Sequence, residues 1–115
     1  MYKLVKNALK DIDIKLYSFT RSEDCEMPCI VLNYMSTPYW FADNKSKGET
    51  YTVLLNVITK SNVGKLNREV LNAMREAGFK YGECQNTQVE YNGTQVIGFN
   101  TAIKFKKFIK EEELL

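Results

Sequence analysis

The sequence predicts an α+β domain: a mainly antiparallel sheet of four to five strands with two helices packed on one face. Three observations carry this. Residues 51–58 alternate, with Tyr51, Val53, Leu55 and Val57 on one side and Thr52, Leu54, Asn56 and Ile58 on the other, which is the two-residue period of a strand. Residues 63–77 hold Val63, Leu66, Val70, Ala73, Met74 and Ala77 at helical spacing. Residues 86–105 read as two strands joined at Asn92-Gly93, a pair that accepts the positive dihedrals of a type I′ hairpin turn. Helices standing apart from the strand runs in this way segregate to one face of an antiparallel sheet.

Along the chain, Val5, Ala8, Leu9 and Ile12 form one apolar stripe at i, i+3, i+4 and i+7, which predicts a short first helix over 2–12. Ile14 and Leu16 then alternate with Lys15 and Tyr17, predicting a short extended segment. Pro28 opens the apolar run Cys29-Ile30-Val31-Leu32-Asn33-Tyr34-Met35, and a proline suits the first position of a strand. Residues 36–49, with Pro38, Asp43, Asn44 and Gly48, read as a long loop. Residues 49–59 carry apolar side chains on both faces, so this strand is central, with helices on one side and other material on the second. Ser61 or Asn62 caps the second helix, and Gly78 supplies its left-handed terminus. Phe99, Thr101, Ile103 and Phe105 share one face of the last strand, and Gly98 marks a bulge. The whole chain, 1–115, is one domain, with 106–115 a charged C-terminal tail.

Composition narrows the function. At 115 residues, 44% hydrophobic and 26% charged, the chain buries enough surface to fold without a metal or disulfide staple. No apolar run approaches a membrane span of roughly 18 residues. The start, Met-Tyr-Lys-Leu-Val-Lys-Asn-Ala, lacks a signal-peptide pattern, so a cytosolic protein is expected. The three cysteines, Cys25, Cys29 and Cys84, are expected as free thiols there. A structural zinc site needs four soft ligands, and the chain has no histidine and no fourth cysteine. A net charge of +2 is too small to bring a nucleic acid or a membrane surface by electrostatics alone.

Chemistry-bearing motifs are missing. Without histidine the commonest general base and metal ligand are both gone, and a cysteine nucleophile lacks its usual partner. Gly78 and Gly82 flank Phe-Lys-Tyr without a Gly-Lys-Ser/Thr ending, so no phosphate loop forms. Asp11 with Asp13 and Glu23 with Asp24 lie in polar segments and read as surface charge. The expectation is a non-enzyme with no cofactor and no metal. Tyr39-Trp40-Phe41 is the candidate interface, because loop aromatics anchor partners; the alternative is that these rings plug the open side of the sheet. Asp43 and Asn44 either hold their own loop or bond across a subunit interface.

Those residues also carry a likeness. Phe41-Ala42-Asp43-Asn44, the strand from Tyr51 ending in Thr59-Lys60, the helix closed by Gly78-Phe79 and the final hairpin together resemble a group of small phage proteins. These are encoded among the head and tail genes of long-tailed bacteriophages and prophages of Gram-positive bacteria. The likeness covers about residues 1–105; Tyr39-Trp40 and the Cys25–Cys29 segment stand outside it. It implies a tail terminator or head-tail joining (tail completion) protein: an α+β subunit of a six-membered ring that caps the tail tube and docks on the head connector. It would act in the host bacterial cytoplasm during assembly and remain at the virion head-tail junction. The competing reading is a monomeric protein-binding adaptor that uses Tyr39-Trp40-Phe41.

Overall fold

The computed structural model describes residues 1–19, 28–40, 46–60, 63–84 and 88–110. Its elements in chain order are α1 (Tyr2–Ala8), β1 (Lys15–Ser18), β2 (Cys29–Trp40), β3 (Ser46–Thr59), α2 (Val63–Glu76), β4 (Lys80–Cys84), β5 (Gln88–Asn92) and β6 (Gln95–Lys110). The six strands form one sheet in the order β1-β2-β3-β6-β4, with β5 also on β6. β4 and β5 meet successive stretches of β6, residues 106–103 and 100–95, so they share one edge. Only β1 runs parallel to its neighbour. The α+β class, the mainly antiparallel sheet and the two helices on one face are therefore as the sequence predicts.

Period two sorts the side chains. Ile30 and Leu32 of β2, Val53, Leu55 and Val57 of β3, and Ile103 and Phe105 of β6 form the core together with Val5, Leu9, Val70 and Met74 from the helices. The opposite face carries a smaller cluster, Cys29, Val31 and Ile58 with Tyr17 against it. α1 is tied to β1 by the Tyr2 hydroxyl, which donates to the Leu16 carbonyl at 3.4 Å. α2 ends in a Schellman closure: the Gly78 N–H donates to Arg75 O and the Phe79 N–H to Met74 O, both at 3.0 Å, with Gly78 at φ 92°. That turn drops Phe79 into the core, where the Lys107 ammonium sits 5.3 Å from its ring centroid. The predicted Ser61 or Asn62 cap lies outside the described residues.

Several expectations are corrected. Residues 36–49 are not one long loop, since β2 runs on to Trp40 and β3 begins at Ser46. Pro38 is tolerated there because of strand parity. The Phe19 N–H donates to Leu32 O at 2.7 Å, so Leu32 points its polar backbone toward β1. Tyr34, Ser36 and Pro38, two, four and six residues on, point the same way, off β3, and Pro38 gives up no ladder bond. The expected charged tail is corrected over 106–110, which are strand; 111–115 lie outside the described residues. Lys106, Lys107 and Lys110 belong to β6; Lys106 points to the open face, while Lys107 lies between buried Phe105 and Ile109 on the helix side. β4 was not anticipated, because Lys-Tyr-Gly-Glu-Cys has no alternation. The hairpin loop falls one residue late: Asn92 pairs with Gln95 and Gly93 has φ 65°, the first central position of a II′ turn, where glycine is favoured. The expected bulge is present, opposite Glu90 and Tyr91. Finally, Cys29 is disulfide-bonded rather than a free thiol. An odd cysteine count speaks to compartment, whereas pairing depends on which thiols the fold brings together. Cys84 is an exposed thiol, and Cys25 lies outside the described residues.

The result is elongated. A chain of this length packed evenly has a radius of gyration near 13 Å, against 15.7 Å here, and the extents are 57 × 27 × 24 Å. The 16 residues of β6, at about 3.4 Å each, account for the long dimension.

Candidate interaction surface

Two arms leave the helix-covered body at opposite ends of β6. One is the far part of β2 and β3, which pair from Cys29↔Ile58 out to Trp40↔Ser46, with β6 following as far as Gly48↔Lys110. The other is the β5–β6 hairpin around Gly93. Each arm exists because its strands outrun the helices.

On the first arm no described element covers the face turned away from the helices. Asn33 and Met35 of β2, Thr52 and Leu54 of β3, and Lys104 of β6 line a groove of about 290 Å³ there. Met35 is 64% exposed. By register, Lys80, Lys104 and Lys106 share this face, and Glu83 lies 3.5 Å from the Lys104 ammonium. That exposed pair contributes at most about 1 kcal/mol; with Lys80, Lys104 and Lys106 against Glu83, the face is positive around an apolar centre. A second concavity, about 490 Å³, lies between α1 and β1 and includes Tyr2, Leu9, Ile14 and Lys15.

The helix-side face of the same arm carries an aromatic row. The Phe19 and Tyr34 ring centroids are 5.1 Å apart and those of Tyr34 and Tyr51 6.1 Å, separations at which tilted rings attract. Phe19 has φ 66°, costly for a residue with a bulky side chain. Tyr51 holds its proton above the usual 10.0, chiefly through burial and then through the neighbouring Glu49 carboxylate. The fold thus favours the neutral phenol, and the stability linked to it is present below pH 10 and is lost as pH rises through the higher folded value. Tyr51→Phe is expected to flatten the alkaline fall in urea-unfolding stability. A variant whose stability falls as steeply as the parent's above pH 10 would assign that fall to other groups.

The second arm presents Val89, Tyr91, Val96 and Ile97, all exposed.

Of the residues singled out from the sequence, Tyr39 and Trp40 fall at the outer end of β2, opposite Gly48 and Ser46, with a register shift between them. They continue a strand instead of forming a loop. Phe41, Asp43 and Asn44 lie outside the described residues. The β2 edge that no described strand covers, the aromatic row and the apolar hairpin did not stand out in the sequence. A legible signal existed for the first: residues 33–40 contain no charge, unusual for a strand edge. No helix among the described residues is long and apolar enough to cross a membrane. No protein-family model matches this chain, and no curated protein matches it in sequence.

Proposed function

We propose that this chain is an assembly protein of a phage head-tail junction, of the tail terminator or head-tail joining kind. It acts as a homo-oligomeric ring, six copies by the likeness to that group, that caps the tail tube and docks on the head connector. Its partners are other copies of itself and the tube and connector proteins. It performs no catalysis and needs no cofactor or metal.

The observation that carries this reading is the pair of unlike arms on one long sheet. A ring forms when one patch of a subunit meets a different patch on its neighbour and the rotation closes. Here one end offers an uncharged strand edge and a lysine-bordered face, and the other an apolar hairpin. The Gly78-Phe79 closure, part of the likeness, has a defined job in the fold, since it seats Phe79 in the core.

Trp40→Ala tests the reading. Trp40 is paired with Ser46 at the outer end of β2, past the strand positions that back the helices, so the variant is expected to melt like the parent. If Trp40 anchors an interface, losing it removes about 2 kcal/mol or more of contact, or about thirtyfold in joining. Complementation of a phage lacking this gene, scored as joined particles by negative stain, measures it. A folded, fully active variant removes Trp40 from the interface. Heads and tails that join without the gene leave the adaptor reading in its place.

A further inference from the structure

A sheet that ends in water must manage its edges. β1 is four residues long, and β4 is short, bulged and carries Lys80 and Glu83. β2 is different. Past Leu32 no described strand pairs with its outer edge, and residues 33–40 carry no charge. The parity fixed by the Phe19–Leu32 bond turns the N–H and C=O of Tyr34 and Ser36 outward. Apolar side chains flank this slot on both faces: Phe19, 52% exposed beside Tyr34, on the helix side and Met35 on the open side. An incoming strand alternates its own side chains between the two.

The same alternation followed across the sheet, Asn33↔Leu54, Leu55↔Ile103 and Asn100↔Gln88, turns the backbone of Val89 and Tyr91 outward on β5. These two residues are 39% and 61% exposed. We propose that the β2 edge at Tyr34 and Ser36 takes the β5 edge of a second copy, joining neighbouring sheets head to tail. This rests on the ring reading and names the surface that makes the ring contact.

Three features favour this occupant. β2, β3, β6 and β5 are each antiparallel to the next, so like-oriented copies meet antiparallel. Setting Ser36 against Val89 and Tyr34 against Tyr91 uses every outward group of both pairs and leaves Pro38 outside. Two β2 edges pairing with each other about Ser36 would instead set Pro38 against Tyr34 twice, leaving two carbonyls without donors. The hairpin tip at Gly93 then comes level with Leu32, where Phe19 turns the chain at its positive φ. By register Ser36 is level with Lys107 and Val89 with Phe99. Neighbours therefore step by about 27 Å along the strands, and a ring closed on that step has its strands inclined to its axis, as in barrels.

Ser36→Pro removes an outward N–H without touching a β2–β3 bond, as Pro38 already does, and Val89→Pro does the same on β5. Sedimentation velocity of the full chain across a concentration series is the test. The parent is expected to grow beyond monomer with concentration, while each variant melts within about 2 °C of it and stays monomeric. Mixed in equal amounts, the two variants form a dimer and nothing larger, because each retains the edge the other lost. Should Val89→Pro lower the melting temperature, Tyr91→Lys blocks the same edge with a charge. If Ser36→Pro assembles like the parent, the edge is not the contact while the ring reading stands. If the β5 variant still dimerises alone, or the mixture stays monomeric, the head-to-tail pairing is wrong. A parent that stays monomeric throughout also overturns it, and the ring reading is then judged by the phage complementation alone.

Discussion

Leu55→Asp is expected to leave the chain unfolded at neutral pH. Leu55 is fully buried in β3, paired with Leu32 on one side and Ile103 on the other, under both helices. Truncating such a leucine to alanine already costs about 2–5 kcal/mol. An ionised carboxylate in that place adds desolvation with no described cation in the cluster to offset it. A domain of this size has about 6–17 kcal/mol in total, so the combined loss takes most or all of it. Circular dichroism should show no cooperative melt, and acid, which protonates the introduced carboxyl, should narrow the deficit. Leu54→Asp is the control. Leu54 faces the open side and is paired with Lys104, so its cost should be about 1 kcal/mol or less. Equal effects at the two positions would mean that the strand's faces are misassigned.

The second large effect is Phe105→Ala. Phe105 heads the fully buried side chains by volume, lies opposite Val53 and Tyr81 in the ladder, and meets the Tyr81 ring edge-on at 6.2 Å. Loss of a buried phenylalanine costs about 3–5 kcal/mol, and the ring pair adds about 0.5–1.5 kcal/mol. Urea unfolding measures the total. Hydrogen exchange should also show β4 amides losing protection before the rest of the sheet, because Tyr81 is the side chain through which β4 reaches this ring. A loss under about 1 kcal/mol would place Phe105 outside the core.

The elements that were legible in the sequence are those whose pattern is set against water within a few residues. Tyr51 to Val57 alternate because each residue either meets the helices or does not, and the register bears out both faces. Val63 to Met74, ended by Gly78, read as a helix because stripe and terminator lie within one short window. The misreadings came where local chemistry and sheet context disagree. Pro38 looked like a turn residue, yet its missing N–H falls on the side with no described strand, so a strand passes through it. Lys106 and Lys107 looked like a solvated tail, yet they sit on β6 with Phe105 and Ile109 turned inward. Asn92-Gly93 looked like the hairpin loop, yet Gly93-Thr94 makes the turn, because the bulge beside Gly98 shifts the register.

For the candidate surface the division is sharper. The sequence alone determined that the chain is an α+β domain, where its central strand and long helix run, and that residues 33–40 are uncharged. Only the tertiary structure decided that those residues form an edge paired with no other described strand, that Phe19 and Met35 flank it, and that an apolar hairpin stands at the opposite end. The reason is range. Hydrophobic period is a property of neighbours in the chain, while strand partnership depends on residues as distant as Glu49 and Ile109, whose pairing no local pattern encodes.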